Sequence, residues 1–187
     1  MYIHRHKTAG LVFTLILISA GMMACSDQSD PLLAQRIQRL EDQSDPLIAL
    51  RLQRLEDIEA IRSLLIEYGQ ALDQRDFEAY GRLFAEEGER KGGMGSAQTP
   101  VGIQKMVEQG FSRMSPGLYE NSHHVMTSLD IEVNGDTATA WSRWMWVVEG
   151  AEGKPLPERS GHYEDTLIRE NRQWKFKHRQ AFTEINK

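Results

Sequence analysis

Apolar positions follow three different rhythms along the chain. Residues 9–24 form an almost unbroken apolar run that includes Leu11, Val12, Phe13, Leu15, Ile16, Leu17 and Ile18. Next come Leu33, Ile37 and Leu40, then Ile48, Leu52 and Leu55, then Ile58, Ile61, Leu65, Tyr68 and Leu72. Their three- and four-residue spacing traces one face of a helix, with a continuous helix predicted over 46–73. Asp76 can cap a second helix over 77–87, carrying Phe77, Tyr80, Leu83 and Phe84. The Gly-rich stretch 90–97 reads as an irregular hairpin, and Thr99-Pro100 as the cap and first turn of a third helix over 101–114. Beyond Pro116-Gly117 the pattern is strand-like. Strands over 124–133 and 137–148 flank Asn134-Gly135, and strands over 159–169 and 173–182 flank the turn at 170–172. Three helices followed by an antiparallel meander predict an α+β fold.

The ends of the chain modify this picture. A basic start (Arg5, His6, Lys7), a short apolar core and small residues after it have the layout of a secretory signal. The run is shorter than the roughly 20 residues of a membrane span. Cys25, the only cysteine, stands where the run ends, in Gly21-Met-Met-Ala24-Cys25-Ser26. This resembles the lipobox of bacterial lipoproteins, with Met22 in place of the usual Leu. The resemblance implies lipidation of Cys25 and an envelope protein anchored on the periplasmic side; a plainly cleaved signal is the alternative. After it, residues 27–41 recur as 42–56, differing only at Leu33/Ile48, Gln35/Leu50 and Ile37/Leu52. Each copy opens with Ser-Asp-Pro, a helix-start signal. The duplication reads as a helical spacer or as a packing helix that pairs chains. The expected division is a signal peptide over 1–24, a tether over 25–56 and one domain over 57–187.

Charge excludes one class of partner. The formal charge is −5 and no basic stripe is interleaved with aromatics, which argues against nucleic acid. Gly92-Gly-Met-Gly95 is not followed by Lys-Ser/Thr and is no phosphate loop. The arginines of the tether are offset by Glu41, Asp42, Glu56 and Asp57.

A series of landmarks from Ile58 to Phe182 resembles SnoaL-like domains of the nuclear transport factor 2-like superfamily. They are Glu59-Ala-Ile, Tyr68, Leu72-Asp73, Asp76-Phe77, Leu83-Phe84-Ala85-Glu86, Ser122-His-His124, Ile131-Glu-Val-Asn-Gly-Asp136, Gly161-His-Tyr163-Glu-Asp165 and Trp174-Lys-Phe176. The resemblance implies a curved sheet wrapped round three helices, a cone with an apolar pocket. That fold hosts dehydratases, isomerases, cyclases and non-catalytic binders, so fold alone does not assign a function.

Within the superfamily, Asp73 and His124 resemble the acid–base pair of scytalone and bile-acid dehydratases. The resemblance implies His124 as general base beside a carbonyl, with Asp73 orienting the imidazole or handling water. Asp73 closing the first helix beside Arg75 is the plainer alternative. Tyr68 corresponds to a pocket tyrosine that binds a substrate oxygen. A second His found in the scytalone-type enzyme is absent; Trp141 or a neighbour falls there. Candidate substrate-binding residues are therefore Tyr68, Trp141, Arg143, Tyr163 and Asp165, with Asp165 paired to either Arg143 or Arg179. Adjacent His123 and His124 face opposite sides of a strand, and without spaced partners they make a poor metal site. The expected reaction needs no cofactor and no metal. The expected partners are a small apolar hydroxy-carbonyl compound and a second copy bound through the sheet face. A non-catalytic binder of an apolar ligand is the alternative.

Overall fold

The computed structural model describes residues 31–42, 46–114 and 121–185. The apolar run and Cys25 lie outside the described residues, as do Asp45 and Pro116-Gly117. The chain divides into two compact units, Met1–Ser44 and Asp45–Lys187. The first contributes one helix, α1 (Pro31–Asp42). The second holds α2 (Pro46–Gln74), α3 (Phe77–Arg82), β1 (Phe84–Gly92), β2 (Gly95–Gln98), α4 (Pro100–Ser112), β3 (Ser122–Asn134), β4 (Thr137–Glu149), β5 (Pro155–Glu170) and β6 (Gln173–Ile185).

The helix predicted over 46–73 is α2. Its first turns expose Leu47, Ile48, Leu52 and Leu55, and burial begins at Asp57. Ile61 and Leu65 are fully buried, each worth about 1.5–3 kcal/mol against exposure. Asp57 fixes where this begins. Its carboxylate pairs with Arg169 at 2.8 Å and accepts from the Trp174 indole and from Gln53, each at 3.2 Å. Burial would raise its pKa, but these partners outweigh it and hold the carboxyl below the usual range.

At the other end, Arg75 adopts a left-handed φ of 57°. The Arg75 N–H reaches the Leu72 carbonyl at 3.1 Å and the Asp76 N–H reaches Ala71 at 2.9 Å, a Schellman closure. Asp76 then caps α3 by accepting from the Ala79 N–H at 2.8 Å.

One expectation is corrected here. The second helix ends at Arg82, not at residue 87, because Leu83, Phe84 and Ala85 are all buried and the chain joins the sheet. The Phe176 N–H donates to the Leu83 carbonyl at 3.0 Å, and Phe84 registers with Phe176. The stretch 90–97 is a regular hairpin, with Lys91 opposite Ser96 and Gly92 opposite Gly95.

The six strands lie in the order β2-β1-β6-β5-β4-β3, with β1 parallel to β6 and the other neighbours antiparallel. Bulges bend the sheet and increase its twist. The β3–β4 register shifts between Thr127 and Asp130, where Ser128 has a φ of 51°, and the β5–β6 register shifts between Thr166 and Leu167. Helix α2 packs on β3 and β6, and α4 packs on α3, β1 and β2. The fold is α+β, a curved sheet with helices packed against it, as expected.

Candidate active site

Asp73 sits in the last turn of α2, where the helix dipole disfavours a negative charge. Contacts from β3 compensate. As the last strand in the order, β3 has one free edge, and alternate N–H groups along it need partners outside the sheet. The His124 N–H donates to both Asp73 carboxylate oxygens, at 3.0 and 3.1 Å. The His124 Nδ1 lies 2.6 Å from Asp73 Oδ1. An ionised carboxylate only accepts, so this contact favours the tautomer with the proton on Nδ1, which leaves Nε2 as a base when the ring is neutral. Asp73 thus joins His124 rather than merely closing its helix, and His123 is exposed.

His124 lines a cavity of about 120 Å³ whose floor includes Tyr68 and Tyr163 and whose walls include Leu72, Trp144 and Trp146. A cavity of this order holds a single ring. Tyr80 donates its hydroxyl to the Tyr68 oxygen at 2.9 Å, so the Tyr68 O–H remains able to donate into the cavity. Burial acts to raise the Tyr68 pKa, but Arg90, Arg179 and the Tyr80 hydrogen bond outweigh it, and the net direction is down. Burial raises Tyr80 and Tyr163 well above the ordinary phenol value.

Behind the tyrosines stands a buried ion pair. Arg179 and Asp165 meet at 3.0 Å (Nε–Oδ1) and 3.1 Å (Nη2–Oδ2), with both side chains fully buried. The guanidinium lies 3.8, 3.9 and 4.3 Å from the ring centres of Tyr68, Tyr163 and Phe176. Burial lifts the Asp165 carboxyl to about 6 despite the opposing charge and hydrogen bond of Arg179. Of the two partners open to Asp165, the structure selects Arg179.

Trp141 and Arg143 are corrected. Inward-facing Ser142, Trp144 and Trp146 leave positions 141 and 143 on the outer face of β4. There Arg143 pairs with Glu184 at 2.9 Å and lies 5.3 Å from the Trp141 ring centre. Trp141 stacks on His162, and His162 stacks on Phe182. The cavity tryptophans are Trp144 and Trp146 instead. Arg90 and Arg159 line the cavity as well, and sequence reasoning missed both. The hairpin carrying Arg90 had shown only its glycines, and no local pattern there marks a buried arginine. Among the described residues, no group of three or more His, Cys, Asp or Glu could hold a metal ion.

The SnoaL-like domain family matches residues 53–180. The chain belongs to the SnoaL-like domain family. No curated protein matches this SnoaL-like chain. Solved structures do. An NTF2-like protein with a cystatin-like fold from Novosphingobium aromaticivorans is 27% identical, with a TM-score of 0.66 over 78% of this chain and 94% of its own. LinA is 23% identical, with a TM-score of 0.62 over 72% and 90%. Another N. aromaticivorans protein, provisionally named a scytalone dehydratase, is 24% identical, with a TM-score of 0.58 over 71% and 87%. At these identities LinA and the last protein establish the shared fold alone.

Proposed function

We propose that this SnoaL-like protein is a cofactor-independent dehydratase or isomerase acting on a small hydroxy-carbonyl compound. The 2.6 Å contact between His124 Nδ1 and Asp73 at the cavity wall carries the reading. His124 Nε2 takes the proton from the carbon beside the carbonyl, and the electron pair moves into the carbonyl oxygen. The Tyr68 O–H, polarised by Tyr80 and Arg90, hydrogen-bonds that oxygen as its charge develops. In dehydration the electron pair returns, the β C–O bond breaks, and the imidazolium gives its proton to the departing hydroxide, forming water. In isomerisation the imidazolium returns its proton to a different carbon. Asp73 stabilises the imidazolium and holds the ring, and the apolar walls exclude competing water. LinA and the provisionally named scytalone dehydratase share the fold, so the pair and the cavity, not the likeness, support the chemistry.

The test is a set of β-hydroxy ketones and acids incubated with the full chain, with the conjugated product followed by ultraviolet absorbance. Turnover that disappears in His124→Gln supports the reading. Saturable binding with no turnover of any compound would favour the binder, whose cavity would hold an apolar ligand.

Two companion proposals concern the rest of the chain. Lipid attachment at Cys25 would place the protein in the envelope, and mass spectrometry of the membrane fraction would detect the acyl mass or its absence. The outer face bearing Trp141, His162 and Phe182 would pair two copies; sedimentation of a monomer at micromolar concentration would refute this.

A further inference from the structure

Among the described residues, Arg90 is a buried cation with no carboxylate partner. It is 5% exposed, and its Nε and Nη1 have no hydrogen-bond partner. Among the described residues the buried carboxylates are Asp57 and Asp165, and they are engaged by Arg169 and Arg179. Arg90 hydrogen-bonds Tyr68, and Tyr80 and Tyr163 act on it as well, but a neutral phenol compensates no charge. Burying an unpaired guanidinium is strongly unfavourable, and the fold tolerates it only where something else balances the charge. The cavity supplies a second, independent observation. Two arginines, Arg90 and Arg159, and His124 line it, whereas no Asp or Glu among the described residues does. This holds in a chain whose overall formal charge is −5.

We propose that the cavity binds a small organic carboxylate, with Arg90 as the buried counter-ion and Arg159 drawing the anion in at the rim. The idea rests on the dehydratase or isomerase reading only in naming the substrate class, a hydroxy-carbonyl acid rather than a neutral compound; anion binding stands without turnover. Arginine suits the task because its guanidinium stays charged under all conditions of folding and offers several donors to a planar carboxylate. At about 120 Å³ the cavity takes one ring or a short chain beyond the carboxylate. The tight aromatic walls then read the apolar remainder of the molecule, and the charge fixes which end enters first. With its carboxylate at Arg90, an acid would present its reacting carbon toward the His124 wall.

The experiment compares benzoate with benzamide, which matches its shape without the charge, by calorimetry on the full chain. A charge-assisted contact at a buried guanidinium predicts benzoate binding about ten- to a hundred-fold tighter. Arg90→Met should abolish that preference and Arg90→Lys should keep part of it, whereas His124→Gln should leave it intact. Loss of turnover with preserved benzoate preference would sink the catalytic reading and spare this one. Equal affinity for benzoate and benzamide in the wild type would overturn the proposal without recourse to any variant. So would failure of benzoate, acetate and butyrate alike to bind or to raise the melting temperature at tens of millimolar, or a preference that survives Arg90→Met.

Discussion

Asp73→Asn removes one charge from the pair and changes almost no volume. In the wild type the carboxylate accepts three hydrogen bonds, two from the His124 backbone N–H and one at Nδ1. Asparagine can still receive the backbone N–H on its carbonyl oxygen. With the amide oxygen in the Oδ2 place, its N–H₂ faces Nδ1, and the ring proton moves to Nε2. With the oxygen in the Oδ1 place, the ring keeps its tautomer, and the charge that stabilises the imidazolium is lost. An aspartate-to-asparagine change that forces the wrong tautomer lowers kcat by about 10⁴ in the serine-protease triad. Here Asp73 is partly exposed, with 24% of its side chain accessible, and water can relax the tautomer penalty. The expected loss is about 10²- to 10³-fold in kcat, with KM little changed. Folding stability should fall by only about 1 kcal/mol, since one charge-assisted contact becomes a neutral one. Steady-state kinetics on a turned-over hydroxy-carbonyl compound, with urea unfolding alongside, separates the two effects. A variant that keeps wild-type kcat would refute the reasoning, as would a loss of rate matched by gross unfolding.

Four further outcomes follow from the frame around the site. Asp57→Ala strands the Trp174 indole and leaves Arg169 with Asp136 alone, and should cost about 1–3 kcal/mol in urea unfolding. Because the folded Asp57 pKa is lowered, its contribution is present above the unfolded carboxylate value and is lost as pH falls through the folded one; a flat acid limb would contradict this. Asp165 has the opposite sign. Its folded pKa is raised to about 6 from 3.8, so its contribution is full below the lower value and declines as pH climbs to the higher. Asp165→Asn should remove that decline between roughly pH 4 and 6, and an unchanged slope would show another group responsible. Arg75→Gly relieves a left-handed backbone at the α2 terminus and should raise stability by about 0.5–1 kcal/mol; a drop would show that the Arg75 side chain matters more than its φ.

Much of this protein was legible because its elements announce themselves locally. Apolar spacing from Ile48 to Leu72 gave α2 to within a residue or so, and Asn134-Gly135 gave the β3–β4 turn with its Gly135 φ of 60°. The aspartate–histidine pair was legible too, but through resemblance rather than pattern, since the two residues meet only in the folded chain. Strand facing was less legible. Continued alternation from Trp174 and Phe176 would send His178 inward and Arg179 outward. The bulge opposite Thr166–Leu167 reverses this, placing Arg179 beside Asp165 and Tyr68. For Trp141 and Arg143 alternation was sufficient, and the choice of face was wrong: Trp144 and Trp146 have the larger apolar area to bury. The helix assigned to 77–87 failed for a tertiary reason. Leu83-Phe84-Ala85 suits a helix or a buried strand equally, and only pairing with Phe176 decides. Arg90 was invisible because nothing local distinguishes a buried arginine from an exposed one.

The account depends most directly on which nitrogen of His124 holds its proton. Long-range ¹⁵N–¹H correlation on selectively labelled full chain, at a pH where free imidazole is neutral, reads this without any substrate. The dyad predicts a protonated Nδ1 held by Asp73 and a bare Nε2. A proton on Nε2 in the wild type would contradict it, because the imidazole would then meet a carbonyl substrate as a donor and not as a base.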